Sequence, residues 1–315
     1  MISTKNIGVN MINFRDVMQK QFPQVDASAN VNINFNPGIE IGQGKILFPT
    51  GNEYGQHKII EYLFKNNDTI PNSCYIGVSC LQNFNMMFAS NCQFGILFDL
   101  NPCVKIFFDK IFILIKESNT RFEFFKKIIN EEKNFIFKND NKNYTIPQKI
   151  FFEFFNEESW LCSDDRYNFI KEIIEKNNIF TITEDMSNKN FINEIKKTLL
   201  DNKIQIRSIY TSNVQTYSNT ASFIENIADE KTIIVGCLST LMQSVFNKKE
   251  YLKNIKTQQH ISIDYDSWQL SLSRISRNDF LKKGDLRESI EDLKNGNYNA
   301  YIPACSKTHK ISEKN

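Results

Sequence analysis

Two rhythms of apolar residues alternate along the chain. Short runs rich in apolar residues occur at 74–78, 94–98, 179–183, 204–210 and 232–236, each followed by a turn signal or an acid. Elsewhere apolar residues recur every three or four positions: Val104, Phe107, Phe108, Ile111, Phe112 and Ile115 in one segment, Phe122, Phe125, Ile128 and Ile129 in the next. Tyr167, Ile170, Ile173 and Ile174 repeat the pattern, as do Phe191, Ile195 and Leu199. Short apolar-rich runs suit strands covered on both faces, and three-to-four steps suit helices with one buried side. The pattern therefore predicts strands at the five runs. It predicts helices over 58–65, 79–91, from Asn101-Pro102 to about 115, and over 120–129, 164–176, 190–202 and 222–227. Ser163 or Asp164 is a natural N-cap, and Asn177-Asn178 a natural stop.

Strands alternating with helices of this length give an α/β fold, expected here as a Rossmann-like, doubly wound, mostly parallel sheet with helices on both faces. The body of that sheet is expected over 59–259, with an insertion near 130–160, where 133–149 is rich in Asn and Lys. Residues 151–160 are aromatic and are expected as a helix under the sheet. Before the body, 1–58 reads as an N-terminal arm and a small β/loop extension. Phe14, Met18 and Phe22 are spaced as on one helix side, and the alternation over 31–48 is broken by Pro37-Gly38, as in a hairpin. After it, 260–315 reads as a strand at 261–265, a helix at 279–294 and a strand at 298–302 completing the sheet, then a frayed tail.

Composition narrows the class. The 315 residues are 41% hydrophobic and 23% charged, as in a folded globular protein, and a net charge of +2 carries no signal for nucleic acid. The seven Cys are scattered, with no Cys-x-x-Cys pair and no zinc spacing, and no signal-peptide pattern opens the chain. The expectation is a cytoplasmic protein with reduced thiols. The apolar stretch 104–115 is interrupted by Lys105, Asp109 and Lys110, so no membrane span is expected. Twenty-seven Phe with many Ile, Asn and Lys fit an AT-rich genome, and the Phe runs are read as core.

Candidate chemistry gathers where strands end. In an open parallel sheet, ligands bind beyond the carboxyl ends of the strands. Asp99 closes the second run, 22 positions after Gly77, close to the spacing of about 20 between a first turn and a ribose-binding acid. Asp185 follows the third run and Asn213 the fourth. Asp99 is suited to two ribose hydroxyls and Asp185 to an adenine amino group, with Met186 or Leu100 as an apolar wall. A polar ligand tail near 77–82 would meet backbone N–H groups at a helix start. Each feature also has a purely structural reading. Gly77 would relieve a tight turn, Asp99 and Asp185 would cap the helices that follow them, and Asn213 would close a turn on its own backbone. His57, near Glu53, Tyr54 and Glu61, is a lone candidate acid/base. No nucleophile elbow, phosphate-binding loop or zinc-protease helix is present.

The segments Y75-I-G-V-S-C-L-Q-N83, F98-D99, E184-D185 and I209-Y-T-S-N213, taken in that order, resemble the class I S-adenosylmethionine-dependent methyltransferase superfamily, closest to a bacterial branch without an assigned reaction. The resemblance covers roughly 59–239. It implies S-adenosylmethionine as cofactor, held by Gly77, Ser79, Gln82, Asn83, Asp99, Asp185 and Asn213, and methyl transfer to an unknown acceptor. The chain departs from the superfamily pattern in two places. Only Gly77 remains of a first loop that usually carries two or three glycines, and Glu184 replaces the glycine before Asp185. A depleted glycine loop also suits a non-catalytic binding module. The third reading is a bacterial effector acting on a partner protein through the arm and the 130–160 segment.

Overall fold

The computed structural model describes residues 14–21, 55–68, 70–78, 81–100, 102–130, 150, 153–154, 156, 158–212, 214, 219–237 and 243–257. The described helices are α1 (14–21), α2 (Gln56–Lys65), α3 (Gln82–Ser90), α4 (Pro102–Lys116), α5 (Arg121–Asn130), α6 (Asp164–Glu175), α7 (Lys189–Asp201), α8 (Thr220–Ile227) and α9 (Lys248–Thr257). The strands are β1 (Ser73–Val78), β2 (Phe94–Asp99), β3 (Ile179–Thr183), β4 (Gln205–Ser212), β5 (Ile233–Gly236) and β6 (Ser244–Phe246). They form one six-stranded sheet in the order β3-β2-β1-β4-β5-β6, in which β6 is antiparallel to β5 and all other pairs are parallel. The chain is thus α/β with a mostly parallel sheet.

The five expected strands are all present, displaced by no more than two residues. Their apolar runs are explained by burial: β1 lies near the middle of the sheet and every residue from Ser73 to Val78 is buried. Successive residues of β2 serve different helices. Phe94 meets Phe14 of α1 edge-on at 5.0 Å, and Phe98 meets Phe191 of α7 and Phe223 of α8. Between them, Gly95 leaves room for Met87 of α3, whose Cε would lie 2.7 Å from an added Cβ. The Phe14–Met18 spacing is therefore that of a packed helix, with both side chains fully buried. Phe22 lies outside the described residues.

Helix ends follow local chemistry. Ser163 caps α6 by accepting from the Arg166 amide, and Asp164 and Asp165 fill the first turn. Asn91, Asn177 and Lys203 take left-handed backbone after α3, α6 and α7, and Asn72 does so before β1. Asparagine tolerates that region, so it takes the place usually given to glycine. The charges that interrupt α4 have a partner: Asp109 is buried, accepts from Thr181 of β3 at 3.0 Å and pairs with Lys105 at 3.3 Å.

Residues 158–163, at the end of the stretch expected as helix, form turns and bends. Trp160 is nevertheless core, stacked on Tyr167 and edge-on to Phe84. The expected hairpin at 31–48, the 133–149 insertion and the elements after 260 lie outside the described residues. No described helix is long and apolar enough to cross a membrane.

Candidate functional site

Because β1 to β5 run parallel, their carboxyl ends share one edge. Across the sheet that edge reads Thr183, Asp99, Val78, Ser212, Gly236. The chain leaves β1 toward β2 and β3, then returns past β1 to β4, so the order reverses between β1 and β4. Crevices form at such reversals because consecutive crossovers depart in opposite directions.

Asp99 is the last residue of β2, half-buried and in register with Thr183 of β3. Its carbonyl accepts from the Glu184 amide at 3.1 Å, which brings the two loops together at the edge. Leu100 follows it at 50% exposure, whereas Met186 is buried. Leu100 is therefore the residue of that pair that stands at the rim.

Asp185 has a local task. Its Oδ1 accepts from the Ser187 amide at 2.8 Å, an Asx turn. Glu184 Oε1 accepts from the Asp185 amide at 2.9 Å and from Asn188 Nδ2 at 3.0 Å. Asn188 in turn caps α7 through the Asn190 and Phe191 amides. The glutamate that replaces the expected glycine thus braces the entry to α7.

Gly77 and Asn83 are joined. The Tyr75 hydroxyl donates to Asn83 Oδ1 at 2.6 Å, and Asn83 Nδ2 donates to the Val78 carbonyl at 3.1 Å. Asn83 is fully buried, and a Cβ on Gly77 would lie 2.0 Å from its Oδ1 and 2.6 Å from Tyr75 Cε1. Among the described residues only Gly55 is a glycine with positive φ, so Gly77 is needed for space and not for an unusual backbone. The structure gives these two residues an internal role, tying the start of α3 to the end of β1, where ligand contact was expected.

Gln82, the first residue of α3, is buried, and its Nε2 has no hydrogen-bond partner. No side chain caps the helix. Ser79 and Asn213, the remaining expected site residues, lie outside the described residues. His57 falls in the first turn of α2. Neither it nor any other described residue joins a group of three or more metal-ligating side chains.

Sequence reasoning passed over a half-buried acid. Glu153 sits within the aromatic run F151-F-E-F-F155, and its Oε2 has no solvent access and no partner. Burial pushes its carboxyl above the usual range, and nearby Ser159 and Asn85 pull it back only in part. Asn85, on α3, accepts from the Trp160 amide at 2.7 Å, while its Nδ2 completes no bond of good geometry. A lone carboxylate among four Phe was the available signal.

A second polar group lies at the far end of the edge. Thr211 of β4, Tyr251 of α9 and Thr220 of α8 form a buried hydroxyl chain, at 3.1 Å and 3.0 Å. Gly236 makes room for it, since a Cβ there would lie 2.6 Å from Thr211 Oγ1. Burial also raises the Tyr251 hydroxyl pKa, which keeps the chain neutral.

The chain matches the model of a family described as Domain of unknown function (DUF7790) over residues 48–148 and 148–295. No curated protein sequence matches it. The chain belongs to the DUF7790 family, whose description carries no activity.

Proposed function

We propose that the protein is a Rossmann-like, doubly wound domain with helices on both faces, that it binds S-adenosylmethionine at the carboxyl edge of its sheet, and that it transfers the methyl group to an acceptor not yet identified. The observation that carries this reading is the strand order. It reverses between β1 and β4, with Asp99 at the tip of the strand next to β1. The two sets of helices reached by alternate residues of β2 support the double winding.

In this reading Asp99 accepts from the ribose hydroxyls and Leu100 lies against the adenine. Asp185, which holds its own turn through Oδ1, accepts from the ring amino group. Gln82 Nε2 and the uncapped first turn of α3 donate to the carboxylate of the methionine end, a fit supported by that unpartnered buried amide. Ser79 and Asn213 complete the expected contacts. Gly77 and Asn83 act by tying the start of α3, which carries Gln82, to the end of β1. The bound cofactor would supply an already activated methyl donor. The protein then has to orient the acceptor in line with the methyl carbon and exclude water, and the acceptor's proton leaves to solvent.

A second reading, a binding module without turnover, draws on one observation. Asn83 occupies the space beside Gly77 and Glu184 braces the next loop, so the pocket walls carry more side chain than the superfamily pattern has. Calorimetric titration with S-adenosylmethionine and S-adenosylhomocysteine tests both. Binding of neither overturns the methyl-transfer reading and leaves the module. Binding without methyl release during incubation with cell extract favours the module.

A further inference from the structure

The carboxyl edge continues past Gly236 to a residue that the proposed cofactor contacts do not use. β6 runs antiparallel to β5, and Ser244 is in register with Gly236, the last residue of β5. Gln243, immediately before Ser244, therefore lies at the carboxyl end of the parallel strands, on the other side of the β1–β4 reversal from Asp99. Its side chain is 95% buried, and neither its Nε2 nor its Oε1 has a hydrogen-bond partner.

A buried carboxamide with both ends unsatisfied is rare, because each end loses water without replacement. Two further features lie along the same edge of the sheet. The hydroxyl chain of Thr211, Tyr251 and Thr220 uses its own members as partners. Ser212, in the next position of β4, holds a left-handed backbone at φ 51°, which serine seldom adopts, and its carbonyl accepts from the Cys237 amide at 2.8 Å. Strain at the end of β4 and an unsatisfied amide just before β6, both at one edge of the sheet, are the marks of an edge shaped for something else.

We propose that Gln243 reads the methyl acceptor, and that the acceptor presents an amide-type edge, one N–H donor beside one carbonyl. A glutamine amide has one acceptor and one donor on its exposed edge, so it pairs with such a group through two parallel bonds. Open carboxamides and ring lactams both carry this edge. The word acceptor rests on the methyl-transfer reading. The subsite itself does not.

The test is saturation-transfer NMR on the full chain with millimolar nicotinamide, as the open carboxamide, and uracil, as the lactam. Wild type, Gln243→Leu and Gln243→Glu are compared, with melting curves and S-adenosylmethionine titration in parallel. The inference expects transfer to at least one probe, and which one responds identifies the source of the edge. It expects both substitutions to weaken that signal by about tenfold, the worth of one to two net hydrogen bonds. It also expects Gln243→Leu to melt no lower than wild type, since it removes unsatisfied polar atoms. Transfer to neither probe overturns the inference. So does transfer that survives both substitutions, or a Gln243→Leu variant that melts lower, which would mean that the amide is bonded internally. Probe binding that depends on Gln243 in a protein that ignores S-adenosylmethionine would keep the subsite and remove the methyl-transfer reading.

Discussion

Replacing Gly77 by alanine separates the two jobs assigned to this residue. If Gly77 serves the fold, the added Cβ collides with Asn83 Oδ1 at 2.0 Å and with the Tyr75 ring at 2.6 Å. Neither neighbour retreats cheaply. Asn83 is held at both ends of its amide, by Tyr75 and by the Val78 carbonyl, and every residue of β1 is buried. Overpacking of this kind costs about 1–3 kcal/mol, and loss of a buried hydrogen bond adds about 1 kcal/mol or more. The expected loss is about 2–4 kcal/mol. At about 2–4 °C per kcal/mol, melting should fall by roughly 4–16 °C. The control is a double-mutant cycle. Asn83→Ala alone should also destabilise, but Gly77→Ala in that background should cost at least about 1 kcal/mol less, because the atom it strikes is gone. Melting curves and urea titrations of the four proteins measure this. Additive losses, or a Gly77→Ala protein as stable as wild type that has lost ligand binding, would refute the internal role and return Gly77 to the ligand.

Two further outcomes follow from buried titratable groups. Burial raises the folded carboxyl of Glu153 above its unfolded value of 4.5, so the folded state holds more protons between the two values. The stability it contributes is therefore complete below the unfolded value and is lost as pH rises through the folded one. Glu153→Gln should gain in melting temperature relative to wild type as pH rises across that window; a difference independent of pH would contradict the burial argument. Burial pushes the Cys92 thiol up to about 12 and raises Cys74 as well. At pH 8 both should stay unalkylated by iodoacetamide in the folded protein and react once it is unfolded in urea; mass-mapped labelling of either in the folded state would contradict this.

How much was legible depended on whether a neighbour was needed to see it. The strands at 74–78 and 94–98 were readable because central parallel strands must be apolar on both faces. β6 was not, since three residues are too few to show a period. α9 was readable and was missed: Asn247 Oδ1 accepts from the Glu250 amide at 2.9 Å while Glu250 Oε2 accepts from the Asn247 amide at 3.3 Å, and this capping box shows in the spacing alone. β4 ran two residues beyond expectation, through Thr211 and Ser212, because buried hydroxyls that bond within the fold look like loop residues in sequence. The position of Asp99 at a strand tip followed from its apolar run. The Tyr75–Asn83 lock beside Gly77 did not, because a glycine kept empty for another side chain looks the same in sequence as one kept for a phosphate or a turn.

The most direct measurement is calorimetric titration of S-adenosylmethionine into wild-type protein and Asp99→Ala, with melting curves of both. Wild type should bind, and at about 100 times the dissociation constant the ligand should stabilise the fold by about 2.7 kcal/mol. Asp99→Ala should lose most of that gain, since bonds from ribose hydroxyls to a carboxylate are worth about 1.5–3 kcal/mol. No heat with wild type, or an Asp99→Ala protein that binds as well as wild type, would contradict an adenosine ligand held at the carboxyl edge of this sheet.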